Sequence, residues 1–453
     1  MKLFEYPVRG GGMRGQSGWL TLLVLASMLH SAPAWALEPD RSLTQYACRA
    51  WDAQHGFPGD AVSSITQTRD GFLWIGTRKG LVRYDGLEFK LLPLPAIPQF
   101  QFPVISALAP SADGGLWFGI ENGFLGHYRT GQGFHTLTNA TWYLPGMGVL
   151  ALRETRDGAL WVGTSGGTFR LGKDGAVASF PQLMGCITIL EDSRQRVWLG
   201  LRGGAVFCWQ DGKLNPDLHI SLGDDIAQAL AEDSAGRLWI ATQRSLRCYD
   251  SALRPQPVPS MPGSQTQLLT DSHGVLWVGT GEGLYRWTNG ALTSLRQSNG
   301  LAEDIVSALF EDRQGNLWVG GRNGLSLLSD VRLPVFGDNE GLPKAWFLAV
   351  CPSTNGGLWA ASSAGICRFD GKTALGYSTE SGLSNTWIKR VFEARDGRVY
   401  LLNGNREVEV FREGKVVGRY SYKHEWLTAL AEDPHGLIIS AGPELCRLEG
   451  DTH

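Results

Sequence analysis

The stretch DGFLWIGTRKGLVRYDG at Asp70–Gly86 returns as QGNLWVGGRNGLSLLSD at Gln314–Asp330. Aligned on the tryptophan of G-x-L-W-[IVFL]-G, the copies fall at Trp74, Trp117, Trp161, Trp198, Trp239, Trp277, Trp318 and Trp359. Tyr400 (DGRVYLL) and Ile439 (HGLIISAG) continue the series in altered form. The ten copies are 37 to 44 residues apart, with a spacing near 41. A repeat of that length restricts the chain to architectures built from one small supersecondary unit.

Each copy reads as four short strands. In the seventh they are IVSALFED, NLWVGG and LSLLS, with turns at Arg313–Gly315 and Arg322–Gly324, and a weaker fourth around VRLPVFGD. Asp-x-x-Gly turns use Gly for positive φ and Asp for a side-chain bond to its own backbone. Strands such as LWVG are apolar on both faces, as a sheet sandwiched between two neighbours requires. The glycine after the tryptophan lets backbones approach closely. No 3.6-residue periodicity survives in the unit, which excludes helical solenoids. Four-stranded units of about 40 residues, each packed face to face on the next around a channel, form a β-propeller. The 59 Gly and 17 Trp fit many tight turns between heavily packed strands.

Ten blades in one ring, or a closed ring of seven followed by three further blades, both satisfy the pattern. The segment LTQYACRAW lies in the phase of a fourth strand, and ELCRLEG at the other end stops after a third. Together they are expected to complete one blade.

Residues 1–36 read as a signal peptide. Lys2, Arg9 and Arg14 precede the apolar run Trp19–Leu29, and Ala34-Trp35-Ala36 offers a cleavage site. The run is well short of the roughly 20 residues of a spanning helix. The repeats then occupy 37–453, and a periplasmic location is expected. A net charge of −3 without a basic cluster gives no general attraction to nucleic acid. The seven cysteines do not form a disulfide framework: Cys248, Cys367 and Cys446 share one repeat position, and Cys186 and Cys351 fall on innermost strands. One bridge at Cys48 is left open.

The phrase LTQYACRAWDAQHGFPGDAVSSITQTRDGFLWIGTRKGLVRYDGLEF resembles the opening of the two-component regulator propeller family. Its G-[LF]-P step appears as Gly56-Phe57-Pro58 and Gly341-Leu342-Pro343, with weaker versions at Gly300-Leu301 and Gly382-Leu383. Each of these glycines lies 18 residues before its anchor. The resemblance implies exported sensor domains of histidine kinases, hybrid kinases and diguanylate cyclases. It further implies two seven-bladed rings, a small β-sandwich, a membrane helix and a cytoplasmic output domain. With ten repeats and no sandwich, kinase histidine box or G-G-D-E-F, the chain is expected to carry the sensing half without the output.

Ligand sites of propellers lie where the loop leading into each innermost strand meets the loop between strands two and three. Thirteen residues before the anchors stand Ala61, Val104, Gly148, Gly185, Ile226, Ser264, Ile305, Trp346, Trp387 and Trp426. Three consecutive tryptophans would form a stacking platform for sugar or aromatic rings, or else fill gaps between blades. Polar candidates beside them are Lys344, Asn385, His424 and Glu425, with Ser362, Ser363, Asn405 and Arg406 on the facing loops. A second cluster, Arg78, Lys79 and Asp60 with Arg322 and Asn323, reads as solvated loop charge. His127 and His135 read as surface residues across a turn.

No H-E-x-x-H, C-x-x-C or P-loop occurs, and the one G-x-S-x-G string, Gly163–Gly167, falls in the turn after the LWVG strand of a repeat and not between a strand and a helix. The reading is therefore a non-enzymatic propeller that takes a small-molecule ligand, with saccharide the first choice. Neither a cofactor nor a metal is expected, and the expected partner is a membrane sensor kinase or diguanylate cyclase. A propeller lyase or glycosidase and a protein-docking scaffold are the alternatives.

Overall fold

A computed structural model describes residues 37–94, 104–136, 147–288, 290–330, 336–337, 341–403, 407–421, 427–441 and 444–448; the signal-peptide reading falls outside them. One carboxylate organises much of the repeat in blades four to seven. Asp312 Oδ1 accepts from the N–H of Gln314 at 2.9 Å and of Asn316 at 3.0 Å, and its Oδ2 accepts from Trp318 Nε1 at 2.8 Å. The same side chain thus shapes the turn and orients the indole of the next strand. Asp192, Asp233 and Asp271 hold Trp198, Trp239 and Trp277 in the same way, at 2.9, 2.8 and 2.8 Å. These tryptophans are buried between sheets.

Among the described residues the strands form nine four-stranded antiparallel sheets and one of three strands. The chain divides into two compact units between Arg332 and Leu333. In the first, innermost strands begin at Val62, Ile105, Val149, Cys186, Ala227, Gln265 and Val306. The seams between them repeat one bond: Ser63 Oγ donates to Ile105 O at 2.5 Å, Ser106 Oγ to Val149 O at 2.6 Å and Thr266 Oγ1 to Val306 O at 2.5 Å. Ser307 Oγ donates to Val62 O at 2.6 Å, so blade seven meets blade one through that same bond. The seven blades form a closed ring, which excludes one ring of ten.

The ring is locked by its N-terminal strand. Ala47–Asp52 pairs antiparallel with Gly324–Ser329, Ala47 opposite Ser329 and Asp52 opposite Gly324. The phase expected for this segment is correct, but its partner is blade seven and not the last strand of the chain. Blade seven needs no fourth strand from the VRLPVFGD segment, most of which lies outside the described residues. Closure also demands a small residue at the seam. A Cβ on Gly320 would stand 2.5 Å from Val62 Cγ1, and one on Gly76 2.8 Å from Ile105 Cγ2.

The second unit has three blades with innermost strands Phe347–Pro352, Ile388–Glu393 and Leu427–Asp433. In the last blade the residue that occupies the tryptophan's place in the ladder is Ile438, opposite Ala431, one before Ile439. The connection there is a two-residue turn between Asp433 and Gly436, which shortens the repeat by one. All seven cysteines are free, so no bridge forms at Cys48. Its Sγ lies 3.0 Å from Gly300 O, and burial pushes the thiol up to about 11.

Candidate functional site

In several blades the position just ahead of the innermost strand is fixed by its backbone. Its carbonyl accepts from the turn between strands two and three: Glu121 N–H to Val104 O at 3.1 Å, Ser165 N–H to Gly148 O at 3.0 Å, Arg202 N–H to Gly185 O at 2.9 Å. In blade eight Ser363 N–H donates to Trp346 O at 3.0 Å, and Trp346 N–H donates to Ser363 Oγ at 3.1 Å. In blade nine Trp387 N–H donates to Asn385 Oδ1 at 2.8 Å. These bonds anchor the main chain and leave the indoles to solvent. Trp346 is 77% exposed and Trp387 42%, whereas Trp277 and Trp318 at anchor positions are 1% and 3% exposed. Filling gaps between blades does not describe the two rim tryptophans.

Both belong to the second unit and stand at the head of adjacent innermost strands. Lys344 is exposed beside Trp346, and Asn385 is half-buried. Ser362 is no rim donor: it is buried, its Oγ donating to Gly365 O at 3.1 Å. Trp426, Glu425, His424, Asn405 and Arg406 lie outside the described residues. A cavity of about 680 Å³ in this unit lies elsewhere, between Glu380–Gly382 and the outer strand Lys415–Ser421.

The second charged cluster is structural. Asp60 Oδ1 accepts from the N–H groups of Arg78 and Lys79 at 3.0 and 3.3 Å, and Glu303 caps Arg322 and Asn323 in the same way. His127, expected at the surface, is buried: its ring packs 4.3 Å from Trp117, with Nε2 3.4 Å from Asp113. Trp117 supplies that cover because blade two has Ser111 where blades four to seven carry the turn aspartate, which sends the indole N–H to Glu154 of the next blade at 2.8 Å. Serine in place of the recurring aspartate is the sequence signal of this redirection, shared with Ser353 and Trp359 of blade eight. Among the described residues no group of three or more His, Cys, Asp or Glu side chains is placed to hold a metal.

Four segments, residues 56–79, 143–166, 221–244 and 300–323, match the two-component regulator propeller model. Each begins ahead of an innermost strand and ends just past the second strand of the same blade. The chain thus carries four repeats that match the two-component regulator propeller family. All four matches fall in the ring of seven; the Gly341 and Gly382 steps of the second unit lie outside them. Among solved structures, the propeller is similar to the extracellular domain of BT3049 from B. thetaiotaomicron, described as a hybrid two-component system. The TM-score is 0.68 at 17% identity, over 90% of this chain and 61% of that one. The extracellular domain of BT4673 from the same organism, described as a one-component system, gives a TM-score of 0.55 at 20% identity, over 88% and 58%. The chain therefore spans about three fifths of the length of those domains. Streptogramin B lyase matches at TM-score 0.51 and 15% identity, over 64% of this chain and 99% of the lyase. These likenesses establish the propeller fold. A comparison with curated proteins found no match.

Proposed function

We propose that this propeller is the ligand-sensing part of a bacterial two-component or cyclic-di-GMP signalling system, acting outside the cytoplasm after export through residues 1–36. The observation that carries this reading is the pair Trp346 and Trp387, held at one repeat position by their backbones with both indoles open to solvent. Large rigid rings kept at a rim offer contact area at small conformational cost. A saccharide ring is the occupant that best suits them, oriented by Lys344 and Asn385, with Trp426, Glu425, Asn405 and Arg406 extending the platform. The family and the sensor domains it resembles support a binding role over turnover. The signal passes to a membrane kinase or cyclase.

Screening a saccharide library by thermal shift tests the reading, because a ligand that binds only the folded state raises the melting temperature. Trp346→Ala with Trp387→Ala should abolish the shift and leave the unliganded melting temperature near wild type. A shift that survives the double substitution, or turnover of the hit, would place function elsewhere.

A further inference from the structure

The end of the ring opposite the rim loops carries a recess that the sensing site does not use. Between the first turns of blades two and three, Trp117, Leu160 and Leu171 wall a cavity of about 790 Å³. It adjoins a second of about 330 Å³ at the channel mouth, lined by Arg69, Arg153, Arg156 and Arg313, and the two share Arg69 and Arg156. Trp117 is half-buried, where Trp74 and Trp161 in the flanking blades are 1% exposed. Arg153 departs from its repeat as well: the same position holds Ala109, Leu190, Leu269 and Phe310 in other blades.

The hydrogen-bonding oxygens of the local carboxylates are held by other donors. Glu154 accepts from Ala112 N–H at 3.0 Å and Trp117 Nε1 at 2.8 Å, and both oxygens of Glu191 accept from Arg156 N–H at 3.1 Å. Asp113 pairs with Arg129 at 2.6 Å and Asp157 with Arg170 at 2.7 Å. Arg313 donates to Arg69 O at 2.8 Å. By contrast, the guanidinium groups of Arg69, Arg153 and Arg156 have no carboxylate within 4.0 Å among the described residues. Although its side chain is open to solvent, protein surrounds Arg153 closely enough that desolvation lowers its pKa, an effect Glu191 opposes and Arg156 reinforces. Keeping three such cations together costs free energy that an anion would recover.

We propose that this recess binds a small polyanion built on a ring, its anionic groups on Arg69, Arg153 and Arg156 and its ring along the open part of Trp117. Arginine suits this task because its planar fork meets a carboxylate, sulfate or phosphate through two bonds at once.

Calorimetric titration of the full chain with three probes tests the site. The probes are trimesate, a ring with three carboxylates; inorganic pyrophosphate, charge without a ring; and phloroglucinol, a ring without charge. Trimesate should bind tightest, and its affinity should fall as salt rises. Arg69→Gln with Arg156→Gln should weaken trimesate roughly tenfold or more, while the melting temperature stays near wild type because both side chains are exposed. Trp117→Phe should weaken trimesate and spare pyrophosphate. The Trp346 and Trp387 substitutions should leave trimesate binding intact, which separates this site from the sensing site. No heat with trimesate at millimolar concentration, equal affinity for phloroglucinol, or unchanged affinity in the double arginine variant would overturn the proposal.

Discussion

The ring of seven and the three-bladed unit are written in the same repeat, yet they bury its two faces differently. In the ring, Ile65 on the innermost strand of blade one is 8% exposed; Val350, at the same position of blade eight, is 67% exposed. Of the twelve large exposed apolar side chains among the described residues, seven belong to the second unit, which is about a quarter of the chain. The seams differ too. Six of the seven ring blades have glycine where the next blade presses in, Gly76 and Gly320 among them, and blade five has Ala241; blades eight and nine have Ala361 and Leu402 at that position. A blade covers one face with each neighbour, so burial depends on closure as much as on the repeat.

The largest effect should come from opening the ring. Removing residues 37–52 strips the outermost strand of blade seven together with Tyr46, whose hydroxyl accepts from Arg286 Nη1 at 2.9 Å. It also takes Leu37 and Leu43 out of the core around Trp277 and Leu295. Calorimetry should then show the ring's cooperative transition lost or moved down by many degrees, and the three-bladed unit unaffected. An unmoved transition would mean that this strand does not close the ring.

Next in size is the contrast between anchor and rim tryptophans. Trp277→Ala should cost about 3–5 kcal/mol, as for other buried large aromatics. Trp346→Ala should stay within about 0.5 kcal/mol, the range of surface substitutions. Chemical denaturation measures both, and equal costs would erase the distinction between the two positions. Asp312→Ala should fall between them at about 2–3 kcal/mol, because it strands buried donors, the indole of Trp318 among them. Ser353→Ala, at the same position of blade eight, should cost less, since Trp359 bonds to Glu393 instead at 2.6 Å.

The smallest effect separates two equivalent glutamates. Burial raises the Glu311 carboxyl above its ordinary 4.5. Burial acts the same way on Glu393, but bonds from Thr354, Ser353 and Trp359 outweigh it and hold that carboxyl lower. A raised folded pKa means that Glu311's contribution to stability is lost as pH rises through it. A depressed one means that Glu393's contribution is present above the unfolded value and lost as pH falls. Near neutral pH Glu393→Gln should therefore be costlier than Glu311→Gln, and thermal melts should show the gap closing in acid. A gap independent of pH would refute the assignment.

Much of the fold was legible because its determinants are local. The turn aspartate, the anchor tryptophan six residues on and the glycine two beyond it are fixed by hydrogen bonds and contacts inside one repeat or with the next. The rim position was legible for the same reason: counting back from the anchors Trp359 and Tyr400 reaches Trp346 and Trp387, whose backbone N–H groups are held by Ser363 of the facing loop and by Asn385 of the entry loop. The burial of Ser362 and His127 was not, since neither a facing-loop position nor a turn says which side of the strand a side chain occupies. The recess at Trp117 needed two departures, Ser111 and Arg153, to be placed together across neighbouring blades.

By itself the sequence determined the blade: its four strands, its turns, its length and its buried tryptophan, because those depend on residues close in the chain. The number of blades per ring and the partner of the N-terminal strand were decided only by tertiary structure. Both are fixed by contacts between distant parts of the chain, such as Ser307 with Val62 and Ala47 with Ser329. No periodicity of a single repeat encodes them. Closure is the point at which the last exposed face meets the first, and it depends on how every blade between them is angled.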